Sequence, residues 1–104
     1  MGGSERENAG GVLEQRETET REAPLFHVLL HNDDYTTMDF VVDLIETVFG
    51  KSHEEAHRIM MAVHTHGLAV CGTYPHEIAE TKVAFVHDLA RQHEFPLRAS
   101  IEEA

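Results

Sequence analysis

From residue 25 onward, short apolar runs alternate with stretches in which apolar residues recur every three or four positions. LFHVLLHN is rich in apolar and β-prone residues and predicts a buried or half-buried strand. Asn32-Asp33-Asp34 follow it with turn residues. Met38, Val41, Ile45 and Val48 then fall on one face of a helix, with Val42 and Phe49 beside them. Thr36 or Thr37 can cap that helix, Thr36 with Asp39 resembles a capping box, and Gly50 suits its end. Ser52-x-x-Glu55 is a fuller capping box opening a second helix, whose apolar face is Ala56, Ile59, Met60 and Val63 and whose stop is Gly67. LAVCGTY predicts a second strand. Pro75 suits the first position of a third helix, HEIAETKVAFVHDLARQ, with Ile78, Val83, Val86 and Ala90 on its buried side. FPLRASI predicts a last strand.

The order β-α-α-β-α-β implies a small α+β sandwich, a three-stranded antiparallel sheet packed on three helices. Residues 1–24 differ from the rest. They hold six Glu, three Arg and four Gly, with Val12 and Leu13 as the only larger aliphatics, which cannot offset the entropy of ordering. A disordered N-terminal tail, 1–24, before a core domain, 25–104, is expected.

Length fits one domain with a modest core: 104 residues, 41% of them hydrophobic. The formal net charge of −11 argues against nucleic acid, which needs Lys and Arg on its phosphates, and favours basic partners. No apolar run approaches the roughly 18–20 residues of a membrane helix. MGGSERENAGG lacks the basic and apolar regions of a secretory signal, and Arg6 breaks the myristoylation pattern. A single cysteine, Cys71, rules out an internal disulfide and fits a reducing compartment, so a cytoplasmic location is expected.

No phosphate loop, GxSxG elbow or CxxC is present. Cys71 lies inside an apolar strand, where a buried inert thiol is the simpler reading. Nine histidines invite a metal reading. His53 and His57 are spaced i,i+4 and His64 lies near their face, but His57 and His64 are two turns apart, on the order of 10 Å, and cannot share one ion. No metal site is expected on that spacing, although a small regulatory domain built on histidines stays a distinct alternative.

Placing the first strand's end beside the second helix gathers a different set. Asn32, Asp33 and Asp34 stand at a rim with His64, and Met38, Val41, Met60 and Val63 supply apolar walls. Carboxylate, carboxamide oxygen and neutral imidazole are all acceptors, whereas a primary ammonium presents three donors and no acceptor. The matching ligand is an ammonium joined to a bulky apolar side chain, such as the start of a peptide. Ordinary core and an ordinary turn would use the same residues.

VLLHNDDYTTMDFVV, IMMAVHTHGLAVCG and HEIAETKVAFVHDLA resemble the ClpS family of protease adaptors. The likeness covers Leu25 to Ala104 and rests on Asn-Asp-Asp-x-Thr-x-Met, Met-x-Ala-Val-His-x-x-Gly and Ala-Glu-Thr-Lys. It implies a small α+β domain with a flexible N-terminal extension that is not an enzyme. Such a domain binds proteins with a bulky hydrophobic N-terminal residue (Leu, Phe, Tyr or Trp). It delivers them to a Clp AAA+ unfoldase of the ClpA or ClpC type. By motif position the resemblance assigns Asn32, Asp33 and His64 to the α-amino group and first peptide unit, with Asp34 and Thr36 close by. It assigns Met38, Val41, Met60, Val63 and Leu97 to the side-chain pocket, with Met38 as a size gate. Glu77 and Lys82 fall where the family faces the unfoldase's N-terminal domain, and the extension would engage the unfoldase too. A monomer without cofactor is expected. One departure is Thr37, where the family usually has Pro; a slightly looser turn is expected from losing the fixed φ.

Overall fold

A computed structural model describes residues 23–104, so nearly all of the expected N-terminal extension lies outside the described residues. The elements are strand β1 (Leu25–His31), helix α1 (Met38–Phe49), helix α2 (His53–His66), strand β2 (Leu68–Pro75), helix α3 (His76–Gln92) and strand β3 (Arg98–Glu103). This is the expected α+β order. Both β2 and β3 pair antiparallel with β1, giving the sheet order β2-β1-β3.

Side chains alternate across a strand, and β1 shows what each face does. Val28 and Leu30 are fully buried and join a core with Ile45, Ala56, Val63, Ala79 and Val86 from the three helices. Leu29, on the opposite face, is buried but stands outside that core. All three helices therefore cover one side of the sheet.

The helix ends follow local chemistry. Thr37 has extended backbone and its hydroxyl accepts from Phe40 N–H; Ser52 caps Glu55 N–H in the same way. Thr37, and not Thr36, is the cap of α1. Gly50 and Gly67 take the left-handed conformation and close α1 and α2 through N–H bonds to Glu46 and Val63 carbonyls. That conformation costs other residues roughly 1–2 kcal/mol. Helix α3 begins one residue after Pro75, which is its N-cap.

Two expectations change. Ile78 is 47% exposed, and Ala79 takes the buried position. Ala79, Val83, Val86 and Ala90 fit one helical stripe, from which Ile78 is rotated by about 100°. The last strand begins at Arg98, not Phe95. Glu94 has φ 62 and turns the chain, so Phe95 N–H bonds back to Ala90 O, and Pro96 has no N–H to give a ladder.

Candidate functional site

Strand β1 is central, so its C-terminal end opens into the middle of the fold beside α2. The backbone N–H of Asn32 donates to Gly67 O at 2.9 Å, tying the strand's exit to the end of α2. The sequence marks Gly67 as a helix stop and as the last residue of the Met-x-Ala-Val-His-x-x-Gly motif. Its carbonyl also holds Asn32 near His64, a role with no side-chain signature.

The turn from β1 into α1 is organised by Asp33. Its Oδ1 accepts from the N–H of Tyr35 at 2.8 Å and of Thr36 at 2.7 Å, while Oδ2 accepts from the Thr36 hydroxyl at 2.8 Å. An ionised carboxylate has about four acceptor sites, so three are used and one on Oδ2 stays open. Partial burial pulls the Asp33 carboxyl upward, but these three bonds outweigh it and hold its pKa below the ordinary carboxylate value. The group is an anion at neutral pH, fixed in place before any ligand arrives. Thr36 spends its hydroxyl on orienting Asp33.

Asn32, Asp33, Asp34, Thr36, Met38, Val41, Met60, Val63 and His64 together line a cavity of about 280 Å³. Val41, Met60 and Val63 are buried and form the apolar wall. Met38 is 44% exposed, and Asn32, Asp34 and His64 are exposed. Polar acceptors thus ring the opening while the interior is hydrocarbon and thioether. Size does not single the cavity out, since the groove between α3 and β3 reaches about 430 Å³. Chemistry does: this cavity sets two carboxylates, a carboxamide and an imidazole around one apolar recess. It can hold a cation whose carbon body needs burial.

Nine of the ten residues assigned by sequence to ligand binding meet here. Leu97 does not: it is 4% exposed and belongs to the core cluster with Val41, Met60 and Val63. Glu77 and Lys82 lie away from the cavity on α3. Glu77 is exposed. The half-buried Lys82 instead donates its Nζ to Val48 O at 2.8 Å and sits 5.5 Å from the Tyr74 ring centroid. It thereby satisfies a carbonyl in the last turn of α1, and its ammonium is engaged within the chain.

The histidines are spread over separate tasks. His53 pairs with Glu46, His31 with Ser100 and His27 with Thr73, while His87 accepts the N–H of Ala99. Among the described residues, no three His, Cys, Asp or Glu side chains converge as metal ligands.

The family model for the ATP-dependent Clp protease adaptor protein ClpS matches residues 21–100. The chain belongs to the ClpS family. It is 58% identical over 85 residues to the ClpS adapter of Desulfotalea psychrophila, covering 82% of this chain and 83% of that protein. It is 48% identical over 99 residues to the ClpS adapter of Ruegeria pomeroyi, covering 95% and 88%. A solved structure, Agrobacterium tumefaciens ClpS2 bound to L-phenylalaninamide, superposes with a TM-score of 0.78 at 37% identity, over 80% of this chain and all of that one. The Desulfotalea and Ruegeria relatives are named as adapter proteins of the ATP-dependent Clp protease. Like them, this chain is an adaptor of that system. Among the described residues, no helix is long and apolar enough to cross a membrane.

Proposed function

We propose that this adaptor selects proteins by a free α-amino group on a bulky hydrophobic N-terminal residue (Leu, Phe, Tyr or Trp) and delivers them to a Clp AAA+ unfoldase. The observation that carries the reading is the cavity itself, in which acceptors ring an apolar recess. The α-ammonium has only donors to offer. Asn32, the open position on Asp33 Oδ2 and His64 are acceptors that suit it, with Asp34 adding negative charge at the mouth. The side chain enters between Val41, Met60 and Val63, with Met38 over the entrance. L-phenylalaninamide, the ligand of the Agrobacterium relative, has this chemistry: a free amine, an apolar side chain and an amide where a protein chain would continue.

Burying a Leu or Phe side chain contributes roughly 1.5–3 kcal/mol, and each hydrogen bond to a charged group about 1.5–3. Several kcal/mol of lost freedom oppose them. Roughly micromolar affinity, about −8 kcal/mol, is expected. A monomer in the cytoplasm would carry its cargo to the N-terminal domain of a ClpA- or ClpC-type unfoldase. The α3 surface around Glu77 and the N-terminal extension would make that contact. Lys82 would contribute by fixing α3 against α1.

The test is reconstituted degradation. A folded reporter beginning with Leu should be degraded by the unfoldase and its protease several-fold faster with this chain present, and a Met-Leu reporter should not respond. Equal acceleration of both would refute selection at the N-terminus.

A further inference from the structure

Thr37 stands beside the cavity without lining it. Its hydroxyl accepts the N–H of Phe40 at 3.2 Å, and its carbonyl accepts the N–H of Val41 at 3.1 Å. Met38, at the cavity entrance, is the first residue of α1 and is bonded directly to Thr37. Val41, in the cavity wall, is hydrogen-bonded to it. The first turn of a helix has no earlier turn to hold its N–H groups, so the Thr37 hydroxyl fixes this turn through Phe40 N–H, while the backbone carbonyl of Thr37 takes the bond from Val41. Met38 is 44% exposed, and packing therefore constrains it less than it does Val41, at 7%.

We infer that Thr37 is a positioning residue for selectivity: its cap holds the first turn of α1 so that Met38 narrows the entrance against β-branched side chains. The inference rests on the proposed gate role of Met38. Its physical content is a difference between ligands. When the first turn frays, Met38 swings with it and the entrance widens. A Leu or Phe side chain, which already passes, loses little. A Val or Ile side chain, branched where the entrance is narrowest, gains. Pro at this position would fix φ without offering an acceptor, whereas Thr37 offers an acceptor without fixing φ. The looser turn expected from the loss of Pro is thus countered by a side-chain cap.

The experiment measures affinities for peptides beginning with Leu and with Val, by fluorescence anisotropy, in wild type, T37A, T37S, M38A and the double variant T37A/M38A. Removing a hydroxyl cap typically costs about 1 kcal/mol, a factor of about five. T37A should lower the Leu-to-Val preference by up to about fivefold, chiefly through tighter Val binding. T37S keeps the acceptor and should keep the preference. In the M38A background, T37A should change the preference no further. Loss of both affinities in parallel, or an unchanged preference, would overturn the inference, as would a full T37A effect without Met38. If M38A alone leaves the wild-type preference intact, the gate reading has failed first, and the single-variant data show it separately.

Discussion

At Asp33 one carboxylate both holds the turn into α1 and faces the mouth of the cavity, so removing it has two separable effects. Asp33→Ala should weaken peptides beginning with Leu, Phe, Tyr or Trp by a similar factor, because the lost contact is to the shared ammonium. A loss confined to one side chain would contradict that role. The variant should also melt lower, with a pH dependence set by the carboxyl's lowered pKa. A depressed folded pKa stabilises the protein fully above the unfolded value, about 3.9, and the contribution disappears as pH falls through the folded value. The melting-temperature gap between wild type and Asp33→Ala should hold steady from about pH 5 to 8 and shrink below about pH 4. A gap that widens in acid would contradict a lowered Asp33 pKa. Met38 acts on the side chain instead: M38A should admit peptides beginning with Val and Ile while retaining Leu. Anisotropy showing continued rejection would refute the gate.

Among the elements, β2 contains the feature least visible in the sequence. Val28 of β1 faces Gly72 and Leu29 faces Val70, which leaves Cys71 as the unopposed residue of a bulge. The bulge shifts the strand's alternation, so Ala69, Cys71 and Tyr74 all pack toward the core. Strict alternation cannot express this, and LAVCGTY reads as a plain strand. Gly72 is fixed by the same geometry. A Cβ there would lie 2.7 Å from carbons of the Tyr74 ring, and that ring stacks on Phe49 and lies under Lys82. Gly72→Ala should therefore destabilise the fold by about 1–3 kcal/mol, measurable by chemical denaturation; an unchanged midpoint would show that Tyr74 moves freely. Burial pushes the Cys71 thiol up to about 12. A thiol-selective disulfide reagent at pH 8 should label it only after unfolding, and rapid labelling of the native protein would contradict the buried thiol. Other features were legible because they are local. Ser52, Gly50 and Gly67 mark helix ends by their own chemistry, and the α1 and α2 stripes have a clear period. Ile78 is the exception: hydrophobicity favours burying isoleucine, while the helical period favours its neighbour Ala79, which is the buried residue.

For the whole molecule, the element order could be read from the pattern, but the position of β1 at the centre of the sheet depends on pairings made across the chain. That position sets Asn32-Asp33-Asp34 against the end of α2 and turns a polar turn into the rim of a cavity. Before the fold is known, turn and rim use the same residues. Lys82 and Leu97 mark the limit from the other side. Motif position assigned Lys82 to the unfoldase face and Leu97 to the side-chain pocket; tertiary packing adds what motif position does not carry, a hydrogen bond from the Lys82 ammonium to Val48 O and a place for Leu97 in the core cluster with Val41, Met60 and Val63.

The proposed function requires this packing to make a receptor for a free amine on a bulky apolar residue. The most direct measurement is fluorescence anisotropy with four labelled peptides: three beginning with Leu, Phe or Val, and the Leu peptide N-acetylated. Acetylation removes the ammonium and leaves Asp33 facing a neutral amide, a mismatch worth several kcal/mol. The proposed receptor should bind the free Leu and Phe peptides with roughly micromolar affinity, and Val and acetylated Leu more weakly by at least about tenfold. Equal binding of the free and acetylated Leu peptides, or binding of none of the four, would contradict it.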